Sequence, residues 1–359
     1  MLTSEELDSL RSRIRSYRNS GELPPEKGLT DLLNKVLTVF ENEDPSYRPL
    51  ARNGEAGGLL DFTGKSLPVV VVPDLHARPD FLLRLLSCKI KGREVLDALN
   101  EGMIIVVCVG DGVHSERYGE TVRAERKDNA GERWKDDYER WLESFVFWQQ
   151  GRVNCPSMQE EMRLCLATVM AVMELKIAFP EHFHFLKGNH ENMMNIDGMG
   201  DHAFRKFAME GEMVRDFMQE VYGDAVLHLM RCYETSLPIV AAFDCFCVSH
   251  AEPAYVFTRD EIINYHDENL RDEVVLAFTW TPNDGAEEGS VASIFAELSG
   301  RKAEDALWFG GHRPVEGKYA LRQDGHYVQI HNPDEMNVAY ISADRPFNLD
   351  KDIIPLVKG

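Results

Sequence analysis

The feature that most constrains this chain is a pair of unbroken apolar runs, each closed by acidic and imidazole side chains. Leu67-Pro68-Val69-Val70-Val71-Val72 is largely β-branched, and the stretch Met103 to Val109 follows the same pattern. β-Branched residues favour extended backbone, and a run without polar alternation must be covered on both faces. That predicts strands inside an α/β sheet with helices over it. The first run ends in Pro73-Asp74-Leu75-His76-Ala77-Arg78, and a helical pattern carrying Phe81, Leu82, Leu85 and Leu86 follows. The second ends in Gly110-Asp111-Gly112-Val113-His114. Open α/β sheets place their sites at such carboxyl ends of strands.

Three later strand ends carry the same chemistry. Phe183-His184-Phe185-Leu186 runs into Gly188-Asn189-His190-Glu191. Asn189 offers a carbonyl oxygen to a metal, His190 a group that titrates near neutrality, and Glu191 local hydrogen-bonding support. Leu237 to Ser249 reads as two strands broken near Phe243-Asp244, the second ending at His250-Ala251-Glu252. Glu304 to Phe309 leads into Gly310-Gly311-His312-Arg313-Pro314. Collected, the strand-end residues are Asp74, His76, Asp111, Asn189, His190, His250 and His312. Mixed oxygen and nitrogen ligands suit manganese, iron or zinc better than calcium or a thiolate zinc site. An aspartate can bridge two ions, and ions about 3.5–4 Å apart can hold a bridging hydroxide and clamp a phosphoryl group.

The other bounds are compatible with that chemistry. A formal net charge of -21 argues against a general nucleic-acid or anionic-membrane binder. A phosphorylated substrate remains open, because metal ions supply positive charge locally. There is no basic segment followed by an apolar one at the amino terminus, and the longest apolar runs are too short for a bilayer. The seven cysteines form no CxxC pair, so reduced thiols in a cytoplasmic protein are expected. Residues 3–20 and Leu29 to Phe40 predict helices, the first with a Thr3/Glu6 capping box. The expected organisation is a helical extension over 1–65, a catalytic domain over 66–345 and a tail over 346–359. Residues 115–152, with Trp134, Trp141 and Trp148 at seven-residue spacing, read as a helical insertion, either packing seam or lid. Asp324-Gly325 marks a hairpin turn in the tail strands.

From Leu67 to Tyr340 the chain resembles the calcineurin-like metallophosphoesterases, and more narrowly the phosphoprotein phosphatase branch. Asp74-Leu75-His76 through Leu86 looks like the first motif with its helix, and Phe179-Pro180 through Gly188-Asn189-His190-Glu191 is similar to the third. Leu237-Pro238 through Val248-Ser249-His250 looks like the fourth, and Thr279-Trp280-Thr281-Pro282 resembles the aromatic loop beyond. Gly311-His312 matches the final metal histidine, and Pro314 in place of a second histidine is characteristic of that branch. The resemblance implies an α/β fold, a metallophosphoesterase-type β-sandwich flanked by helices. It implies Asp74, His76 and Asp111 on a first metal, and Asp111, Asn189, His250 and His312 on a second. The activity implied is hydrolysis of a phosphate ester by a metal-bridging hydroxide, with His190 protonating the leaving oxygen. A serine/threonine phosphatase is the favoured form. A small-molecule or nucleotide phosphoesterase, and a non-catalytic metal-stabilised module binding a phosphorylated partner, are the alternatives.

The second motif departs from the family's Gly-Asp-x-x-Asp-Arg-Gly. His114 stands where a carboxylate orients the acid histidine, and Ser115 where an arginine clamps phosphate. The expected substitutes are His114 or Glu116 as orienter and Arg78, Arg117, Arg301 or Arg313 as clamp. Pro73 and Ala77 also replace usual glycines, as does Ala251-Glu252 after His250.

Overall fold

The valine run 69–72 forms a strand that is buried at every position, as its unbroken apolar pattern requires. In the computed structural model, which describes residues 1–116, 137–204, 207–267 and 269–357, it is one of a series in two main sheets. In chain order the strands are β1 (Leu59–Asp61), β2 (Val69–Val72), β3 (Lys89–Ile90), β4 (Arg93–Glu94), β5 (Ile105–Cys108), β6 (Phe183–Phe185), β7 (Val240–Ala242), β8 (Cys247–Ser249), β9 (Trp308–Gly310), β10 (Ala320–Arg322), β11 (Tyr327–Gln329), β12 (Asn337–Ile341) and β13 (Ile353–Pro355). One sheet runs β13-β12-β2-β5-β6, the other β1-β7-β8-β9-β11-β10, and β3 and β4 pair separately.

Side-chain alternation explains the layers. Val69 and Val71 face a core shared with Phe243, Val248, Phe309 and Val328 of the other sheet. Val70 and Val72 face the helical side, against a core that includes the buried helix Pro156–Ala178. Tyr327, Trp308 and Cys247 turn outward to a third core with Val274, Phe278 and Ile294. The fold is a β-sandwich with helices on both outer faces, as expected. β2, β5 and β6 run parallel, and so do β8, β9 and β11, so each set ends on a common side.

The amino-terminal segment is built into this scaffold. Its helices Ser4–Asn19 and Glu26–Glu41 lie on the helix Pro156–Ala178, and β1 pairs in parallel with β7. The Thr3/Glu6 capping box is present. The helix Asp137–Gln149 packs on its neighbours through a seam: Trp141, Phe145 and Trp148 stack in sequence. The Trp141 and Trp148 indole N–H groups donate to Ala208 O and Asp216, both at 2.9 Å. Trp134 and Arg117 lie outside the described residues. No described helix is long and apolar enough to cross a membrane.

A buried charge cluster fastens the first segment. Glu43 pairs with Arg48, and Lys176 donates to Glu43 at 2.6 Å. Burial opposes a charge on Glu43, but Arg48 and Lys176 prevail and hold its pKa down at about 2. Because this lies below the unfolded value, the stability Glu43 contributes is complete above about pH 5 and fades as pH falls toward 2. Glu43→Gln is therefore expected to destabilise the fold by roughly 3 kcal/mol at pH 7, with the deficit shrinking below pH 4. Urea midpoints of the two proteins across pH check this, and equal midpoints at pH 7 would contradict it.

Candidate metal centre

Every strand-end residue picked out in the sequence converges on one buried cluster. Asp74 and His76 follow β2, Asp111 follows β5, Asn189 and His190 follow β6, His250 follows β8 and His312 follows β9. Their relative exposures do not exceed 7% for any of the first six. His76, Asp111, His114 and His312 all take positive φ (42°, 54°, 59° and 65°), as does Ala77 at 53°. These left-handed conformations cost non-glycine residues of order 1 kcal/mol or more each, and such strain gathers at functional sites.

Backbone contacts hold the loops against that strain. Glu191 accepts from the N–H groups of Asp111, Gly112 and Gly188 at 2.7–2.8 Å, joining the loops after β5 and β6. His76 N donates to Asp111 O and Ala77 N to Gly112 O, joining the loops after β2 and β5. His312 N donates to Asp74 Oδ1 at 3.1 Å, bringing the other sheet into the same frame. Approach is close enough that a Cβ on Gly188 would meet Asp111 Oδ1 at 2.2 Å.

The donor atoms form two adjoining groups. His76 Nε2 lies 3.7 Å from Asp74 Oδ2 and 3.6 Å from Asp111 Oδ2. Its Nδ1–H donates to His114 O at 3.1 Å, which directs Nε2 inward. In the second group, Asn189 Oδ1, His250 Nε2 and His312 Nδ1 stand 2.9, 3.0 and 3.2 Å apart, and Asp111 Oδ2 is 3.4 Å from His250 Nε2. Ligands about 2.1 Å from one ion and at right angles to it are about 3.0 Å apart, and about 3.4 Å at the tetrahedral angle. The spacing therefore fits two metal positions that share Asp111.

Electrostatics point the same way. Asp74 Oδ2 and Asp111 Oδ2 are buried without a hydrogen-bond partner among the described residues. Burial, then the neighbouring Asp74 and Glu191 charges, push the Asp111 pKa well above the carboxylate range. Burial raises Asp74 as well. Burial, reinforced by His312, holds His250 far below the usual imidazole value, and burial with Arg313 pushes His312 down to about 3. Neutral imidazoles beside orphaned carboxylate oxygens are what a cation requires.

The remaining expected residues divide. His190 donates its backbone N–H to Asp111 Oδ1 at 2.9 Å, and its Nε2 faces Asp111 Oδ2 at 3.8 Å. His114 Nδ1 is 3.2 Å from His190 Nδ1, and Phe204 lies against both rings. Arg313 is exposed on the loop that carries His312. Arg78 does not fit the clamp expected of it: it is fully buried, donating to Leu75 O, Asp74 O, Pro333 O and Glu116. Glu116 likewise is not placed to orient His190, because Arg78 and His331 take its oxygens. Arg301 sits in the exposed turn after the helix Ser290–Ser299. Ser115 is held by the buried Arg140 at 2.8 Å and by Glu161. His331, at the end of β11, was not anticipated, although an imidazole just past an apolar-alternating strand repeats the signal read elsewhere.

No protein-family model and no curated protein sequence matches the chain. Solved structures do. A protein serine/threonine phosphatase from Saccharomyces cerevisiae, described as similar to human phosphatase PP5, aligns over 98% of this chain and 95% of its own, at TM-score 0.55 and 14% identity. The chain shares the fold of that phosphatase. A cold-active protein-tyrosine phosphatase of a psychrophilic Shewanella aligns over 79% of this chain and 77% of its own, at TM-score 0.41 and 12% identity.

Gly188→Ala places a methyl against Asp111 Oδ1 and Glu191. It is expected to weaken manganese binding by about tenfold or more while leaving the far-ultraviolet circular dichroism spectrum unchanged. Isothermal titration checks this, and wild-type affinity would contradict it.

Proposed function

We propose that the chain is a metal-dependent phosphoesterase whose activity resides in residues 66–345. The observation that carries this reading is the sharing of Asp111 Oδ2 between two donor groups, 3.6 Å from His76 and 3.4 Å from His250. Asp74, His76 and Asp111 would hold one ion, and Asp111, Asn189, His250 and His312 the other. Manganese is the first choice, with iron or zinc compatible with the same donors. Such ions supply Lewis acidity and an activated water at neutral pH.

His190 is the proton donor to the leaving oxygen. With His114 Nδ1 accepting the His190 Nδ1 proton, the proton on Nε2 is directed toward the cluster. Arg313 binds the phosphoryl group: it is exposed, and it lies close enough to His312 to depress that imidazole. The near-complete alignment with a serine/threonine phosphatase supports a phosphoserine or phosphothreonine side chain as substrate.

Hydrolysis of an aryl phosphate with added manganese tests the mechanism. Asp111→Asn and His190→Ala are each expected to lower kcat by about a hundredfold or more, and activity surviving both would contradict it. Arg313→Ala is expected to raise KM about tenfold with a smaller change in kcat. Unchanged kinetics would place the clamp elsewhere. Comparing a phosphopeptide with a dinucleoside polyphosphate decides the substrate class.

A further inference from the structure

The first donor group, as assigned above, contains three protein side chains, and Pro314 cannot supply a fourth. A fully buried imidazole reaches the same place from another strand. His331 lies two residues beyond the end of β11, and its Nε2 is 3.8 Å from Asp74 Oδ2. His76 Nε2 is 3.7 Å from that same oxygen, which has no hydrogen-bond partner among the described residues. The His76 and His331 ring centroids are 5.6 Å apart, so two imidazoles flank one bare carboxylate oxygen. Separations of 3.7–3.8 Å exceed a hydrogen bond. They match two ligands of one ion, which at about 2.1 Å each can stand up to about 4.2 Å apart.

The surroundings hold His331 beside this spot. Glu116 Oε2 accepts from His331 Nε2 at 2.9 Å, and Glu116 Oε1 accepts from Arg78 Nη2 at 2.5 Å. Arg78 in turn donates to Pro333 O, two residues past His331, and to Asp74 O and Leu75 O. One guanidinium thus ties the end of β11 to the loop that carries Asp74. An arginine spent wholly on protein acceptors around a carboxylate and an imidazole holds a geometry; it is not free for substrate.

We propose that His331 is a protein ligand at the first metal position, beside Asp74, His76 and Asp111, with Arg78 holding the end of β11 against the Asp74 loop. Ligation requires loss of the Nε2 proton now shared with Glu116, and metal loading releases it to solvent. The inference rests on the metal reading of the cluster.

An anomalous-scattering map of a crystal of the wild-type chain loaded with manganese or zinc tests it directly. An ion within about 2.3 Å of His331 Nε2 is the expected result. An ion held by Asp74, His76 and Asp111, with His331 still bonded only to Glu116, overturns the inference and leaves the metal reading intact. No ion in the cluster overturns the metal reading itself. In solution, His331→Ala and His331→Gln are expected to weaken one of two manganese affinities by at least about tenfold, with the other unchanged. Two unchanged affinities overturn the proposal.

Discussion

The structure depends on two carboxylates, Asp74 and Asp111, being brought together out of water. Each has an oxygen buried without a hydrogen-bond partner among the described residues, and each is raised by burial, with Asp74 adding its charge against Asp111. Isolated buried charges of like sign are among the costliest arrangements a protein can hold. The surrounding His250 and His312 offer no relief, because burial keeps both neutral. Cations held there would reverse the sign of the problem, with the neutral imidazoles available as ligands.

The rest of the fold serves that convergence. Two sheets deliver their parallel strands to a common side, and the sandwich interior fixes where each strand stops. Past those ends, the loops take left-handed conformations at His76, Asp111, His114 and His312. Glu191 offsets part of that strain by accepting three backbone N–H groups from two loops. Its role is to shape the backbone that carries Asp111, Gly188 and the adjoining His190.

Much of this was legible in the sequence because strands buried on both faces leave an unmistakable pattern. Val69–Val72 and Ile105–Cys108 could only be interior strands, and their polar ends could only be loops on one side. The strand β1 was not legible: Leu59-Leu60-Asp61 is too short to carry a periodicity, and only pairing with β7 makes it a strand. Arg78 shows a related limit. A guanidinium next to a ligand loop looks available for phosphate until Pro333 O and Glu116, both distant in sequence, are seen to claim it. The same long-range pairing hid His331, whose partner Glu116 is 215 residues away. Local patterns specify what a segment buries; they do not specify which distant side chain completes a polar network.

The altered second motif follows the same logic. Ser115 belongs to a buried set with Arg140 and Glu161, so this stretch is tied to the neighbouring helices instead of facing substrate. The most direct test of the central claim is the metal content of the purified chain after incubation with manganese and gel filtration. The account predicts about two ions per chain retained at neutral pH. Retention of none, with the fold intact, would contradict it.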